Sequence, residues 1–470
     1  MLPNSQARAA LLSLAFAFVT GTKAISLGGQ GYVDLSVYGG NPQHLGAGIL
    51  YGLPDDPAFS PDKAPTLPSD LFPGAGVSFV RAGGAQIPFN GYNGGNITGY
   101  NARFASTLQN YQYATARGSK FVLLPHDIWG ADAATSSTNV YPCDDGDCSQ
   151  YGVFLDMLIS DLKANNMLPG LHIDIWNEPD GSNFWPRSQD QFLQSYAYAY
   201  HKYKDAFGTD VPVQGPTTAE PANAGSTWWQ NWAKYVQANN VVPDIYAYHQ
   251  LSGRGSANCG NDPVQSNAQL EQIKQAYGLP DRPVQINEYA ALDEQTPAYT
   301  AWFIGRFERT GITGLRANWG SGKGLHDDLA RLLLVSDDYT TFDKMGDWHV
   351  FNYYTQAQQG LITLAGATGS SCYDLYATQD RSAGKVHILA GTRGQEGPYP
   401  ITVSNVNSVP AFSGKSSLRA LVKEIPFNNA GVVQAPQVLF NSSVAVNNNQ
   451  LSYNLTMNTD SAYTVDLFAN

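Results

Sequence analysis

The chain has 470 residues, 43% of them hydrophobic and 27 of them proline, which describes a folded protein with room for one barrel-sized domain and an appendage. Charged residues make up only 14% and aromatics as much as 12%, and a formal net charge of −12 repels nucleic acid and anionic membrane surfaces. Such a balance suits a neutral partner with flat apolar faces and polar edges, which Tyr and Trp side chains contact well.

Arg8 ahead of the apolar "AALLSLAFAFV" (9–19) and the small-residue "TGTKA" (20–24) reads as a secretory leader, residues 1–24, cleaved near Ala24. It is too short to span a bilayer, and no later apolar run reaches about 18 residues. The expectation is an exported, extracellular chain with no membrane partner, acting as a monomer. Segment 25–44 carries "GYVDLSV" (31–37), expected to add a strand to the C-terminal domain.

From 45 to 344 short apolar runs alternate with amphipathic stretches. The runs are 46–52, 77–84, 119–127, 171–178, 211–216, 243–250, 282–289 and 311–320; helical periods fill 101–117, 151–166, 188–205, 226–239, 264–277 and 297–310. Eight such strand–helix units predict an α/β fold, a (β/α)8 barrel. Residues 345–470 change texture to short β-rich runs separated by Gly, Asn, Ser and Pro, which predicts an antiparallel β-sandwich.

Cys143 and Cys148 bracket "DDGD", a loop short enough to be closed by a disulfide, whereas Cys259 and Cys372 can pair or stay free. Sequons at Asn96, Asn441 and Asn454 permit glycosylation of an exported chain. No CxxC pair exists, and His326, Asp327 and Asp328 are adjacent in one loop, where neighbours rarely converge on one ion, so no metal site is expected. The tryptophans at 228, 229 and 232 fall in one helical period and read as core; Arg316 and Lys323 read as solvated.

Function in such a barrel collects where strands end in βα loops. The fourth run, "LHIDIWNE", ends in Asn177-Glu178 and the seventh, "VQINEY", contains Asn287-Glu288. Two carboxylates reaching one rim are what glycosidic-bond cleavage requires: one stays protonated to release the leaving oxygen, the other stays charged against the anomeric carbon. Arg81, ending the second run, and the "YAYH" tyrosines and histidine (246–249) are candidate partners for the anion. His126 and Trp129, in "LLPHDIWG", are expected to line the pocket.

The Asn-Glu-Pro after strand four, the Glu of strand seven, the Arg of strand two and the Trp after strand eight together resemble clan A glycoside hydrolases. "DLSVYGGNPQHLGAGILYGLPDD", "FVLLPHDIWG", "DIWNEPD" and "INEYA" are most similar to family 39, in the branch found in secreted fungal proteins. The resemblance implies that Glu178 is the acid/base, Glu288 the nucleophile and Asn177 the amide that binds the hydroxyl beside the anomeric carbon. It also implies that His249 and Arg81 support the site, that Trp319 lies under the bound sugar, and that the reaction retains configuration and uses no cofactor. One departure stands out: where many members carry a tyrosine shortly after the strand-six histidine, this chain has Leu251, so Tyr246, Tyr248 or Tyr289 is expected to replace it beside Glu288. The expected partner is an oligo- or polysaccharide, cleaved by exo action on plant cell-wall side chains of xyloside, arabinoside or galactoside type. An endo-acting glycanase, an inverting hydrolase and an inactive carbohydrate-binding protein are the alternatives.

Overall fold

The computed structural model describes residues 29–59, 64–87, 90–132, 139–254 and 259–469; the expected leader, 1–24, lies outside them. Strand β1 (Gln30–Tyr38) precedes eight strands that close into a parallel barrel. These are β2 (Gly48–Leu50), β3 (Phe79–Ala82), β4 (Lys120–Leu123), β5 (Leu171–Asp174), β6 (Val213–Thr218), β7 (Ile245–Gln250), β8 (Val284–Tyr289) and β9 (Thr313–Arg316). Each coincides with one of the eight apolar runs, β6 continuing two residues past the end of its run. The helical periods are equally visible, as Ile97–Thr115, Ser149–Ala164, Gln189–Phe207, Thr227–Ala238, Pro263–Tyr277 and Pro297–Thr310.

Strand alternation sorts the side chains. Leu171 and Ile173 of β5 join the apolar layer under the helices, with Phe121, Leu123, Trp229 and Trp232. His172 and Asp174 take the other face and meet Gln214 and Arg81 inside the barrel. Arg316 is not solvated: its side chain is buried, with Nη1 donating to Asp347 at 2.8 Å and Nε to the Ala330 carbonyl at 2.8 Å.

A hairpin of β10 (Leu333–Val335) and β11 (Phe342–Lys344) follows β9. Strands β12 (Leu361–Thr368), β13 (Tyr373–Asp380), β14 (Lys385–Thr392), β15 (Gly397–Ser404), β16 (Ser417–Ile425), β17 (Gln437–Ala445), β18 (Gln450–Met457) and β19 (Ala462–Ala469) then form one sheet with β1. Its order is β17-β16-β19-β14-β13-β12-β1-β15-β18. All pairings are antiparallel except β1 with β15, where Gly31–Asp34 run alongside Ile401–Ser404. β17 and β18 sit at opposite edges, yet Ala445 and Gln450 are separated by a span the chain covers in at most about 17 Å. The twisted sheet therefore curls until its edges meet, with the Phe440 and Tyr453 rings 5.5 Å apart, and wraps a core of its own that includes Val33, Ile401, Leu418 and Val465.

The helix Pro297–Thr310 is buried on nearly every side because it lies between barrel and sheet. Arg306 reaches Asp374 of β13 at 2.7 Å, Arg309 pairs with the same carboxylate, and the Trp302 indole donates to the Ser371 carbonyl at 2.8 Å. Gly391 of β14 passes so close that a Cβ there would stand 2.2 Å from the Ala298 carbonyl oxygen. Both cysteine pairs are disulfides: Cys143–Cys148 closes the acidic loop, and Cys259–Cys372 ties the loop after β7 to the turn before β13. Asn441 and Asn454 are exposed; Asn96 caps the helix Ile97–Thr115, its Oδ1 accepting from Gly99 N at 3.0 Å.

Candidate active site

Arg81, at the site end of β3, organises the rim of the barrel. Its Nη1 donates to Glu288 Oε1 at 2.8 Å, its Nη2 to Asn177 Oδ1 at 2.7 Å and its Nε to Asp174 Oδ2 at 2.9 Å. Asp174 in turn accepts from Asn287 Nδ2 at 2.8 Å and Thr217 Oγ1 at 2.6 Å. A buried guanidinium is tolerable only when paired and fully hydrogen-bonded, and here one carboxylate from each of β5 and β8 supplies the charge. Fixing Asn177 through its oxygen turns its amide NH2 away from Arg81, free to donate to a bound hydroxyl.

Asn287 and Glu288 are consecutive in β8, yet both make contacts inside the barrel, against strict alternation. Register shifts explain this: the β8–β9 ladder slips between Ile286 and Tyr289, and the β7–β8 ladder slips so that His249 comes opposite Glu288. Glu178 leaves the strand in a left-handed conformation (φ 45°), with its N–H donating to the carbonyl of Thr217, itself left-handed (φ 60°). Non-glycine residues in that region carry a cost and recur at functional sites. Asp180 braces the turn by accepting from Ala219 N and Glu220 N at 2.8 and 3.1 Å.

One carboxylate oxygen each of Glu178 and Glu288 and a ring nitrogen of His249 lie within 4.8 Å of one another. His249 bridges the acids, Nδ1 2.9 Å from Glu178 Oε1 and Nε2 3.6 Å from Glu288 Oε1. Burial raises the pKa of Glu178, opposed by the charges of Arg81 and His126. Burial lowers that of His249, against the pull of Glu288, so a neutral imidazole is favoured. A neutral ring that accepts the proton of Glu178 at Nδ1 presents Nε2–H to Glu288, which matches an acid facing an anion. Two carboxylates and a histidine also have the donor types for a metal ion, but the Arg81 guanidinium already occupies Glu288 and would repel a cation.

Several expected pocket residues stand elsewhere. Trp129 is 1% exposed, donates to the Val140 carbonyl at 3.2 Å and packs edge-on against Phe154 and Tyr151, so it is core and does not line a sugar pocket. Tyr248 is fully buried on the outer face of β7, against Trp229 and Ser266, because it alternates with the inward His249. None of the three tyrosines replaces the one missing at Leu251: Tyr246 donates to the Pro280 carbonyl, Tyr248 pairs with Ser266 and Tyr289 donates to the Gly46 carbonyl. Arg81 holds Glu288 instead. His126 is buried against Trp176 and Phe184, with Nδ1 2.7 Å from Asp127 and Nε2 at the Ala131 carbonyl, so both ring nitrogens are engaged within the protein. Trp319 is 43% exposed on the rim, beside Leu292 and Asp327. His326 pairs with Asp55 at 2.8 Å and the Ala85 carbonyl at 2.9 Å, away from any metal cluster.

Asp174 and Thr217 are site residues that sequence reading passed over. An aspartate inside the strand run "LHIDI" was the available signal, since a charge in a buried strand demands a partner.

An eight-stranded parallel barrel with a curled, mostly antiparallel β domain is the fold that this chain shares with solved glycoside hydrolases. No family model matches the chain. It is similar to a 3-O-alpha-D-galactosyl-alpha-L-arabinofuranosidase from Bifidobacterium longum subsp. longum, 24% identical over 367 residues, which span 67% of this chain but only 28% of that protein. Among solved structures, N2152 from Neocallimastix frontalis aligns with a TM-score of 0.72 at 21% identity, over 94% of this chain and 100% of that one. A GH39 enzyme from Xanthomonas axonopodis pv. citri aligns with a TM-score of 0.60 at 12% identity, over 95% and 98%. Among the described residues, no helix is long and apolar enough to cross a membrane.

Proposed function

We propose that this protein is a secreted, retaining glycoside hydrolase of family 39 type that removes terminal sugars from plant cell-wall side chains. One observation carries the reading: the oxygens of Glu178 and Glu288 approach within 4.8 Å, near the about 5–5.5 Å of double displacement and well short of the about 6.5–9.5 Å that leaves room for an attacking water in inversion. Glu288, aligned by Arg81, attacks the anomeric carbon, and the C–O bond breaks as Glu178 gives its proton to the departing oxygen. Glu178, now an anion beside His249, takes a proton from water, whose oxygen displaces Glu288 and frees the sugar. Asn177 donates to the hydroxyl next to the reacting carbon, a contact that tightens as charge develops. Trp319 offers a face for the sugar ring. The arabinofuranosidase relative supports an arabinoside or galactoside substrate; an endo-acting glycanase on the same scaffold would differ in releasing oligosaccharides rather than single sugars.

The test is a screen of aryl glycosides and plant polysaccharides with wild type and Glu288→Ala in parallel. Wild type should release a sugar whose first-formed anomer, read by NMR, keeps the substrate's configuration. Glu288→Ala should lose turnover and recover part of it with azide. Inverted product, or a fully active Glu288→Ala, would remove the reading; calorimetric binding without any product would replace it with a carbohydrate-binding protein.

A further inference from the structure

The β10–β11 hairpin is additional to the eight strand–helix units, and it stands on the rim that carries Glu288. Leu292 lies three residues beyond the end of β8 and Trp319 three residues beyond β9, and these strands are neighbours in the barrel. Between these loops and the hairpin lies an open groove of about 420 Å³. Its walls leave large apolar surface in solvent: Leu292 is 53%, Trp319 43% and Leu334 42% exposed.

The floor is polar. Asp327 is only 5% exposed, and among the described residues its carboxylate accepts no hydrogen bond. Burial and the neighbouring Asp328 push it up to about 7. Lys323, four residues earlier, is turned over the rings of Phe59 and Tyr339, 4.9 and 5.3 Å from their centroids, and forms no ion pair with it. Asp328, by contrast, is engaged by Arg331 N at 3.0 Å. Its oxygens reach the solvent of the groove, where a ligand hydroxyl can donate in place of water.

Ligand chemistry follows from these surfaces. An apolar ligand would leave Asp327 without a donor, an anion would face Asp327 and Asp328, and a cation would meet Arg331 in the same groove. A sugar ring offers both a C–H face for the apolar walls and adjacent hydroxyl donors for the carboxylate. We propose that this groove is a second sugar subsite, holding a neutral sugar residue of the glycan beyond the ring at Glu288, with Asp327 accepting from its hydroxyls. The assignment rests on the glycosidase reading and adds selectivity for extended substrates to it.

The experiment compares kcat and KM on a one-sugar aryl glycoside and on oligosaccharides of the same sugar, for wild type, Asp327→Ala and Leu334→Asp. Both variants should lose roughly tenfold in kcat/KM on the oligosaccharides, through KM, as expected for losing a hydrogen bond in Asp327→Ala and apolar contact in Leu334→Asp. The aryl glycoside should change by less than about twofold, a split that a folding defect would not produce. Wild type active on both substrates, with neither variant changing the ratio between them, overturns the subsite alone. Wild type that hydrolyses no glycoside overturns the glycosidase reading and the subsite with it.

Discussion

Arg81 Nη1 stands 2.8 Å from Glu288 Oε1, and the same guanidinium reaches Asn177 and Asp174 through its other nitrogens. One side chain thereby sets the direction of the carboxylate proposed as nucleophile and of the amide beside it. Arg81→Lys keeps the charge but not the planar fork, so kcat/KM should fall about 10²-fold. Arg81→Leu leaves Asp174 buried without its cation and should also cost about 3–5 kcal/mol of stability, read as a lower denaturation midpoint. Wild-type rates in Arg81→Lys would show that the fork is dispensable.

The proposed mechanism has Glu178 carry a proton in the first step, and burial raises its pKa. Activity on substrates with poor leaving groups should therefore decline as pH rises through that raised value. Glu178→Gln should lose this basic limb and retain far more activity on activated aryl glycosides than on alkyl glycosides. The stability sign is opposite to that of a paired carboxylate. A folded pKa above the unfolded value, about 4.3, penalises the fold once the group ionises, so Glu178→Gln should be more stable than wild type at neutral pH and equal to it in acid. Urea midpoints at pH 7 and pH 3.5 check it.

His249 is buried and held toward the neutral form, with its folded pKa below the unfolded value of about 6.5. Its contribution to stability is complete above that value and is lost as pH falls through the folded pKa, because the unfolded chain takes up the proton first. His249→Gln should flatten the stability slope below about pH 6.5 and lower kcat by about 10²-fold, since Glu178 loses its 2.9 Å partner. NMR titration of the His249 ring gives the direction independently; a pKa above the free value would refute it.

The Cys259–Cys372 disulfide closes a loop of 113 residues and joins the rim loop after β7 to the β domain. Replacing both cysteines by serine should cost about 2–5 kcal/mol. The loss should be larger than for the pair Cys143 and Cys148, which closes only five residues, because the longer loop restrains more of the unfolded chain. Thermal melts of the two double variants settle the order.

The alternation of apolar runs and helical periods made the eight strand–helix units readable from the chain, because each depends on contacts between residues a few positions apart. Asn177-Glu178 and Glu288 stood out as candidates in the chain because a carboxylate at the end of a buried strand needs either a partner or a task. What the chain could not disclose depended on register and direction. The slipped ladders that bring Asn287 and Glu288 to the same side, and set His249 opposite Glu288, arise from pairing between strands distant in sequence. Asp174 gained its role only when closure of the barrel brought β3 and β5, with β4 between them, close enough for Arg81 to reach it. Trp129 was expected in the pocket lining and one of the three tyrosines beside Glu288, but only the packing of helices on the barrel decided which faces are sealed. Local periodicity selects the elements; which side chains share one small volume is set by closure of the barrel, a long-range constraint that no window of the sequence contains.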